Sequence, residues 1–459
     1  MRDVATRICR EYLSGAWKTI SSDEIEVKRI SGGLSNFLYY VSLPATSLVK
    51  KEATCSKRTR KDSYQNQLLE PTPCSVLLRI YGQTHGEHAL ETMLTESVVF
   101  ALLSERQLGP KLHGIFPGGR IEQYIPARSL TTAELANNQI SLKIAEKMSE
   151  IHTLDIPVSK EPEWLFLTLN RWLNNVESIM NDVRNNNDEN GDKNQAISRK
   201  LSKVDFRKEV LWLKKVVELE SYPVVFCHND LQEGNILFRQ NIIDLVDPSI
   251  VPDLGTLDDL LISTPALTDT AQGLPLNGNS RKRSLPNNSI DSDVVDSNTS
   301  RDDGFSDTTT NDEPELMIID FEYCAYNYRA FDMANHFLEW TYDYTNEKFP
   351  YYYNRRECYP TPKQIDDFLT VYLNRSDDDD DDLPMIKRKE QLLEEIALFT
   401  LASHLFWGIW GIVNINQEIE FGYWEYAGLR VDEYFAAKEK YYEIKPKARE
   451  VCNLDTRRK

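Results

Sequence analysis

The chain has 459 residues, of which 41% are hydrophobic and 10% aromatic, so it is long enough for two lobes that each bury an apolar core. Its 53 Lys and Arg residues against 72 Asp and Glu residues give a formal net charge of -19 at pH 7. This charge argues against a surface built for nucleic acid or for an anionic membrane, because both would repel the protein.

The seven cysteines are scattered along the chain, and no two of them have the Cys-x-x-Cys spacing of a zinc site or redox pair. Their odd number and irregular spacing predict neither a disulfide framework nor a zinc site. The N-terminal residues 1–17 alternate charged with apolar side chains and contain no apolar signal-peptide core. We therefore predict a reducing, cytoplasmic location.

The N-terminal part of the chain is predicted to be a small lobe of β-strands with one helix. Alternating apolar residues predict strands over residues 25–30 and 36–43, joined by the turn sequence SGGLSN. A further β-like run over residues 75–81 precedes an amphipathic helix over residues 89–106, which ends at Leu-Gly-Pro. A strand over residues 120–126 then leads out of this lobe.

Helical periodicity dominates beyond residue 126, as in residues 141–152 and 164–181. Two polar segments are predicted to lack regular structure: residues 46–72, which are basic, and residues 181–194, which are rich in Asn and Asp. The unbroken acidic run at residues 377–382 predicts a solvated loop, because adjacent like charges repel one another.

A longer low-complexity segment, residues 264–313, is crowded with Ser, Thr, Asn and Asp and predicts a disordered insertion. It separates two short apolar runs, residues 235–238 and 316–319, which are predicted to be strands of a hairpin. A tolerated surface insertion would fall at such a connection.

One uncharged stretch, residues 396–417, is long enough to span a bilayer. Polar side chains such as Ser403, His404 and Asn414 interrupt it, and carboxylates flank it on both sides. No basic residues lie close by to set an orientation. We therefore predict a buried helix and no membrane span.

Two blocks combine an apolar strand with an acidic residue at its end. VVFCHNDLQEGNILF (residues 224–238) carries Asp230, and MIIDFEYCAYNYRAFD (residues 317–332) carries Asp320. Phosphoryl transfer requires a base for the acceptor hydroxyl and oxygen ligands for Mg²⁺ at the nucleotide phosphates. Asn235 follows Asp230 by five positions, which is the layout of the catalytic and metal loops of kinases, with HND in place of HRD and IDFE in place of DFG.

HNDLQEGN, IDFEYCAYNYRAFDMANHFLEW and SGGLSN together resemble the choline kinase (choline/ethanolamine kinase) family. The resemblance implies a protein-kinase-like, two-lobed α+β fold. A small β-rich nucleotide-binding lobe would cover residues 1–125, and a larger, mainly helical catalytic and choline-binding lobe residues 126–459. It further implies that ATP phosphorylates the choline hydroxyl to give phosphocholine, the first step of phosphatidylcholine synthesis by the CDP-choline route.

The resemblance also implies the catalytic and metal residues. Asp230 is expected to be the catalytic base, and Gln232 is expected to lie beside the acceptor. Asn235 and Asp320 are expected to be the Mg²⁺ ligands. Asp332 is expected to brace the catalytic loop through backbone hydrogen bonds.

Three parts of the small lobe are candidates for binding ATP. The flexible turn between the first two strands offers backbone N–H groups to the phosphates, from Ser31, Gly32, Gly33, Leu34, Ser35 and Asn36. Arg79 occupies the strand position where protein kinases keep a phosphate-binding Lys, and Glu96 on the following helix is predicted to pair with it. Gln123 and Ile125 are predicted to form the hinge that meets adenine.

A quaternary ammonium donates no hydrogen bonds, so its recognition relies on aromatic faces and negative charge. Trp407 and Trp410 lie three positions apart, on one face of a predicted helix. The resemblance adds Glu339 as a source of charge, and four further aromatic residues match the family's choline pocket: Tyr323, Tyr344, Phe421 and Tyr426. His228 and His404 are expected to be packed, hydrogen-bonded residues and not acid–base groups.

Ethanolamine as the preferred or a second acceptor stays open as an alternative, although the two Trp residues and the QEGN sequence favour choline. A catalytically inactive kinase-like scaffold is a further alternative, which the intact Asp230, Asn235 and Asp320 disfavour. An aminoglycoside-type phosphotransferase would share the fold, but its polycationic substrates require acidic side chains more than an aromatic box. A homodimer is implied by the resemblance alone.

Overall fold

The structure, a computed structural model, describes residues 1–30, 36–44, 72–81, 89–185, 193–239, 315–375, 383–417 and 419–451. The predicted phosphate-binding turn at residues 31–35, the acidic run at 377–382 and the insertion at 264–313 lie outside these ranges. The loop predicted over residues 46–72 also lies outside them, except for Thr72.

The small lobe is built on a five-stranded antiparallel sheet. In chain order its elements are α1 (Arg2–Tyr12), β1 (Glu26–Ile30), β2 (Asn36–Ser42), β3 (Ser75–Tyr81), α2 (Ala89–Glu105), β4 (Leu112–Phe116) and β5 (Gly119–Gln123). The spatial order of the strands is β1-β2-β3-β5-β4. Strands β1, β2, β3 and β5 and helix α2 confirm the predicted elements to within a few residues, whereas α1 and β4 are not among the elements predicted above.

The core of the small lobe lies between this sheet and the N-terminal segment. Val76 and Leu78, two positions apart on β3, are buried on one face of the sheet with Ile121 of β5. Trp17 is buried against them, and its indole Nε1 donates a 2.7 Å hydrogen bond to the carbonyl of Pro73. Apolar side chains of α1 complete the cluster, so this helix closes the open face of the sheet.

The larger lobe is mainly helical. Its helices are α3 (Thr132–Leu135), α4 (Asn138–His152), α5 (Trp164–Asn185), α6 (Lys193–Leu201), α7 (Phe206–Val217), α8 (Arg329–Glu339), α9 (Pro362–Arg375), α10 (Met385–Val413), α11 (Tyr423–Ile444) and α12 (Lys447–Val451). Its short strands are β6 (Arg128–Ser129), β7 (Val224–Cys227), β8 (Ile236–Arg239), β9 (Glu315–Ile318), β10 (Ala325–Tyr328), β11 (Tyr342–Asp343) and β12 (Tyr353–Asn354).

The prediction for residues 181–194 is wrong at both ends, because α5 extends to Asn185 and α6 begins at Lys193. Met180 is buried on the core face of α5, and the Arg184 guanidinium donates a 2.8 Å hydrogen bond to the Ser202 carbonyl. These tertiary contacts stabilise the last turn of a helix whose local sequence is rich in Asn and Asp.

Helix α10 contains the uncharged stretch and is long and apolar enough to cross a membrane. In its most apolar window, 78% of the residues are buried inside the protein. It packs along α11 and α8, and buried side chains such as Phe399, Leu405 and Ile409 lie in the main core. The predicted buried helix over residues 396–417 is therefore confirmed as part of α10, except for its last residues.

Strands β8 and β9 form the predicted hairpin, with Arg239 paired to Glu315 at the end where residues 240–314 connect the two strands. Strands β7 and β10 pair antiparallel in a second small sheet. The ends of β7, β8 and β9 bring together the two acidic blocks that the sequence singled out.

Candidate active site

The predicted catalytic loop follows β7 and is held by Asp332 at the start of α8. Asp332 is 1% exposed, and its carboxylate accepts backbone hydrogen bonds from His228 (2.7 Å) and Asn229 (2.6 Å). The ring of His152 contributes a third contact, 3.0 Å from Asp332 Oδ2. Burial alone would raise the pKa of Asp332, but these partners lower it. The predicted bracing role of Asp332 is confirmed.

Asn229 adopts a left-handed backbone conformation (φ +67°) that turns the loop and presents Asp230. Asn235 holds Asp230 in place, since the Asn235 amide Nδ2 donates to the Asp230 carbonyl (2.8 Å) and to the Asp230 carboxylate Oδ2 (3.1 Å). Burial and the nearby carboxylates of Glu339 and Asp320 raise the pKa of Asp230 well above its ordinary value, while Asn235 lowers it. A carboxylate in such an environment is a stronger proton acceptor than one in water.

Asp320 follows the end of β9, also in a left-handed conformation (φ +65°). The neighbouring Ile319 N–H donates to the Asn235 carbonyl at 2.9 Å, so the hairpin brings both predicted metal ligands together. Glu322 follows Asp320 by two positions, and its charge is one of those that raise the pKa of Asp230. A set of hard oxygen donors of this kind suits Mg²⁺. We did not predict Glu322, although a second acid two residues after Asp320 was visible in IDFEY.

A row of alternating charges reaches Asp320 from the small lobe. Arg79 is 4% exposed; its Nη1 lies 3.0 Å from Asp320 Oδ1 and its Nε 2.8 Å from Glu122 Oε1. Arg120 Nε contacts the same oxygen of Glu122 at 2.6 Å, and its Nη1 contacts Glu96 at 2.5 Å. Burial opposes ionisation of Glu122, but Arg79 and Arg120 lower its pKa. Asp320 is therefore paired with a buried guanidinium.

The predicted pairing of Arg79 with Glu96 is therefore wrong. Glu96 reaches Arg120 instead, because Arg120 lies directly opposite Arg79 in the β3–β5 register and is closer to α2. Sequence reasoning missed Arg120 and Glu122, although two charged residues at alternate positions of a buried strand were a visible signal.

The hinge candidates lie where the small lobe ends. Gln123 is the last residue of β5, and its side-chain oxygen accepts a 3.1 Å hydrogen bond from the Lys111 N–H. Ile125 is buried with Met317 of β9, beside Leu237. Ile125 therefore contacts the hairpin that carries the catalytic and metal residues.

The six predicted aromatic residues form a continuous chain of rings. Ring centres are 5.8 Å apart for Tyr323 and Trp407, 5.6 Å for Trp407 and Trp410, and 6.1 Å for Trp410 and Tyr426. The chain continues from Tyr426 to Phe421 (5.5 Å) and from Phe421 to Tyr344 (6.5 Å). Side chains from the β9–β10 connection, the residue after β11, α10, α11 and the segment before α11 therefore meet in one aromatic surface. In it Trp407 and Tyr426 are buried, and the other four rings are half-buried.

This surface lies next to the catalytic loop. The Asn229 amide donates a 2.9 Å hydrogen bond to the Tyr323 carbonyl, and the Trp407 indole is fixed by a 2.7 Å bond to Asn335. Glu339, at the end of α8, is among the charges that raise the pKa of Asp230. The predicted base and the predicted cation pocket are therefore neighbours.

Gln232 and Glu233 lie between Asp230 and Asn235 in the chain. The Gln232 N–H donates to the Asp230 carbonyl at 3.0 Å, and its side chain is half-buried. Glu233 is buried, accepts a 3.1 Å hydrogen bond from Thr132, and was not predicted as a site residue. Burial, with Glu339 as a further cause, raises its pKa to about 8.

The two histidines are buried, and burial lowers the pKa of each below its ordinary value. His228 Nε2 lies 3.0 Å from the Ile319 carbonyl, which agrees with its predicted packing role. For His404 the burial is as predicted, but Nδ1 has no hydrogen-bond partner among the described residues.

The chain is similar in sequence to proteins of one family. The family model described as choline/ethanolamine kinase matches residues 27–435. A choline/ethanolamine kinase of Homo sapiens is 36% identical over 433 residues, covering 94% of this chain and 84% of that protein. Choline kinase A2 of Caenorhabditis elegans is 34% identical over 440 residues, covering 96% of this chain and 86% of that protein.

Solved structures support the fold. A choline kinase of Cryptosporidium parvum matches with a TM-score of 0.63 at 24% identity, covering 98% of this chain and 99% of that one. An ethanolamine kinase of Plasmodium vivax matches with a TM-score of 0.54 at 17% identity, covering 91% and 84%. The protein-kinase-like fold, with a small sheet lobe and a helical lobe, is confirmed.

Proposed function

The chain belongs to the choline/ethanolamine kinase family, and from this premise we propose that it transfers the γ-phosphoryl group of ATP to the hydroxyl of choline at Asp230. One observation carries the proposal: hydrogen bonds join the loop of Asp230 both to the loop of Asp320 and to the aromatic surface. Asn235 bonds Asp230 and the residue before Asp320, and Asn229 bonds Tyr323. The proposed phosphate site and the proposed quaternary-ammonium site therefore meet at the loop that carries the base.

Asp230 would accept the hydroxyl proton of choline as the hydroxyl oxygen attacks the γ-phosphorus. The bond between the γ-phosphorus and the bridging oxygen breaks, and ADP leaves with the electron pair. Asn235 keeps the Asp230 carboxylate oriented through its 3.1 Å hydrogen bond. The raised pKa of Asp230 favours this proton transfer.

Mg²⁺ is the metal that we propose for the site. Asp320, Asn235 and Glu322 would hold it, and when bound it would neutralise charge on the phosphate oxygens. Arg79 would bind phosphate, because its guanidinium is oriented by Glu122 and already bonds an anion at 3.0 Å. The SGGLSN turn and the hinge at Gln123 and Ile125 complete the proposed nucleotide site.

The aromatic chain is proposed to bind the trimethylammonium group through its ring faces. Gln232 would lie beside the acceptor hydroxyl. An ethanolamine kinase or a dual enzyme is the second candidate, because relatives in the same family carry both names. The inactive-scaffold alternative is disfavoured by the hydrogen bonds that join Asp230, Asn235 and the Asp320 loop.

The product would be phosphocholine, which enters phosphatidylcholine synthesis. A cytoplasmic location is supported by free cysteines at Cys9, Cys74, Cys227, Cys324 and Cys358. The family resemblance supports a homodimer.

Trp410→Ala and Tyr344→Ala should raise the KM for choline while sparing the KM for ATP. Each lost ring face should weaken cation binding by very roughly 1–2 kcal/mol, the range for a desolvated cation–π contact. Trp410→Phe should recover part of the loss, because it keeps a ring with a weaker quadrupole. Initial rates at varied choline and varied ATP measure these effects.

A matched control is Trp424→Ala, because Trp424 is half-buried on α11 and lies outside the aromatic chain. It should lower the melting temperature without a selective change in the KM for choline. Equal losses for choline and ATP in Trp410→Ala, together with a fall in melting temperature, would show that Trp410 is only a core residue.

A further inference from the structure

Both carboxylate oxygens of Glu339 already have hydrogen-bond donors. Glu339 is 3% exposed at the C-terminal end of α8. Its Oε2 accepts a 2.9 Å hydrogen bond from the Tyr344 hydroxyl, and its Oε1 is paired with Nη2 of Arg430. The carboxylate is therefore buried and already bonded at both oxygens, on one side by a residue of the aromatic surface.

Arg430 is fully buried within α11 and has a fixed orientation. Its Nε donates a 3.1 Å hydrogen bond to the Tyr426 hydroxyl. Its guanidinium carbon lies 3.9 Å from the centre of the Tyr342 ring and 5.1 Å from that of Tyr426. A guanidinium that donates to two acceptors and lies against two rings is held beside Glu339, and its charge offsets part of that of the carboxylate.

The two possible acceptors place different demands on this arrangement. A quaternary ammonium has no N–H groups and is stabilised by ring faces and a nearby negative field. A primary ammonium brings N–H donors, which lose their water on binding and need acceptors in the pocket. Each carboxylate oxygen could accept a second hydrogen bond, but the charge of Arg430 partly neutralises Glu339, which therefore offers such donors less than a free carboxylate would.

We infer that Tyr344 and Arg430 set the acceptor preference by holding both oxygens of Glu339, so that the pocket favours a quaternary over a primary ammonium. The inference rests on the proposed function and names its substrate class. Tyr344 thus has two proposed roles: its ring would contact the cation, and its hydroxyl donates a hydrogen bond to Glu339. Arg430 is a positioning residue that acts through Glu339.

Tyr344→Phe tests the inference because it keeps the ring and removes only the O–H donor. The substrates are ethanolamine, its N-methyl and N,N-dimethyl derivatives, and choline, which carry successively fewer N–H groups. We expect the kcat/KM ratio of choline to ethanolamine to fall by roughly tenfold, the value of one hydrogen bond to a charged group. The two intermediate substrates should shift in order of their N–H count.

The matched control is Tyr352→Phe, since Tyr352 packs on Phe421 and Tyr426 at 5.6 Å. It removes a hydroxyl beside the same rings and should leave the acceptor ratio unchanged. Arg430→Gln should shift the ratio in the same direction as Tyr344→Phe. Because that change removes a buried charge, its melting temperature is measured in parallel and Tyr344→Phe decides the outcome.

An unchanged choline-to-ethanolamine ratio in Tyr344→Phe, or an equal shift of that ratio in Tyr352→Phe, would overturn the inference. Neither result would contradict the proposed kinase function. Calorimetric titration of choline and ethanolamine gives a second readout, which does not require turnover. A wild-type protein that phosphorylates none of the four acceptors would instead contradict the proposed function, so the two failures are distinguishable.

Discussion

Asp230→Asn is expected to lower kcat for choline by about 10²–10⁴, the range for loss of a general base. The substituted amide has nearly the shape of the carboxylate and should remain beside Asn235, but it cannot accept the hydroxyl proton. Because Asp230 makes no predicted contact with the nucleotide, ATP binding should stay close to that of the wild-type protein. Steady-state rates and nucleotide titration measure the two effects separately.

The control for this variant is Asp343→Asn. Asp343 is also a buried carboxylate, but its hydrogen-bond and ion-pair partners are Thr345 and Arg355, which are not residues of the catalytic loop. It should retain near wild-type kcat. If Asp230→Asn retained near wild-type kcat as well, Asp230 would have no part in the proton transfer.

Asp320→Ala is expected to lower kcat on the order of 10³-fold through loss of the metal. Metal ions stabilise the charge of a transition state by several kcal/mol, which corresponds to a rate change of this size. Excess Mg²⁺ should recover part of the activity of Asn235→Ala but little of that of Asp320→Ala. The reason is charge: Asn235 offers a neutral oxygen, whereas Asp320 offers the anionic ligand that attracts the cation. Rates measured across a Mg²⁺ titration give the comparison.

Asp320→Asn separates loss of the metal ligand's charge from release of Arg79. The amide oxygen can still accept the Arg79 hydrogen bond, now 3.0 Å long, but it carries no charge. This variant should therefore behave like Asp320→Ala in its metal dependence. Unchanged metal dependence in all three variants would mean that the metal lies elsewhere.

The local part of the fold was predictable from the sequence. Alternation of apolar residues placed β3 at residues 75–81, where the structure has Ser75–Tyr81. The spacing within HNDLQEGN predicted the approach of Asn235 to Asp230, because five residues span one tight loop. The prediction failed for Asn181–Asn185, where buried contacts of α5 override a local preference for loops.

The partners of the site residues were less predictable, because they depend on contacts that are distant in sequence. Arg79 bonds Glu122, 43 residues away, since β5 lies beside β3 in the sheet. Arg430 reaches Glu339 across 91 residues, because α11 packs near the end of α8. A single sequence suggests which groups a site needs, but not which of two nearby acids an arginine will bind.

The most direct test of the account is ATP-dependent phosphoryl transfer by the purified protein to choline, ethanolamine and kanamycin in the presence of Mg²⁺. Choline should be phosphorylated with the highest kcat/KM, ethanolamine with a lower one, and kanamycin not at all. Kanamycin is polycationic and requires acidic side chains more than the aromatic faces of this pocket. Transfer to kanamycin in preference to choline, or no transfer to any of the three, would contradict it.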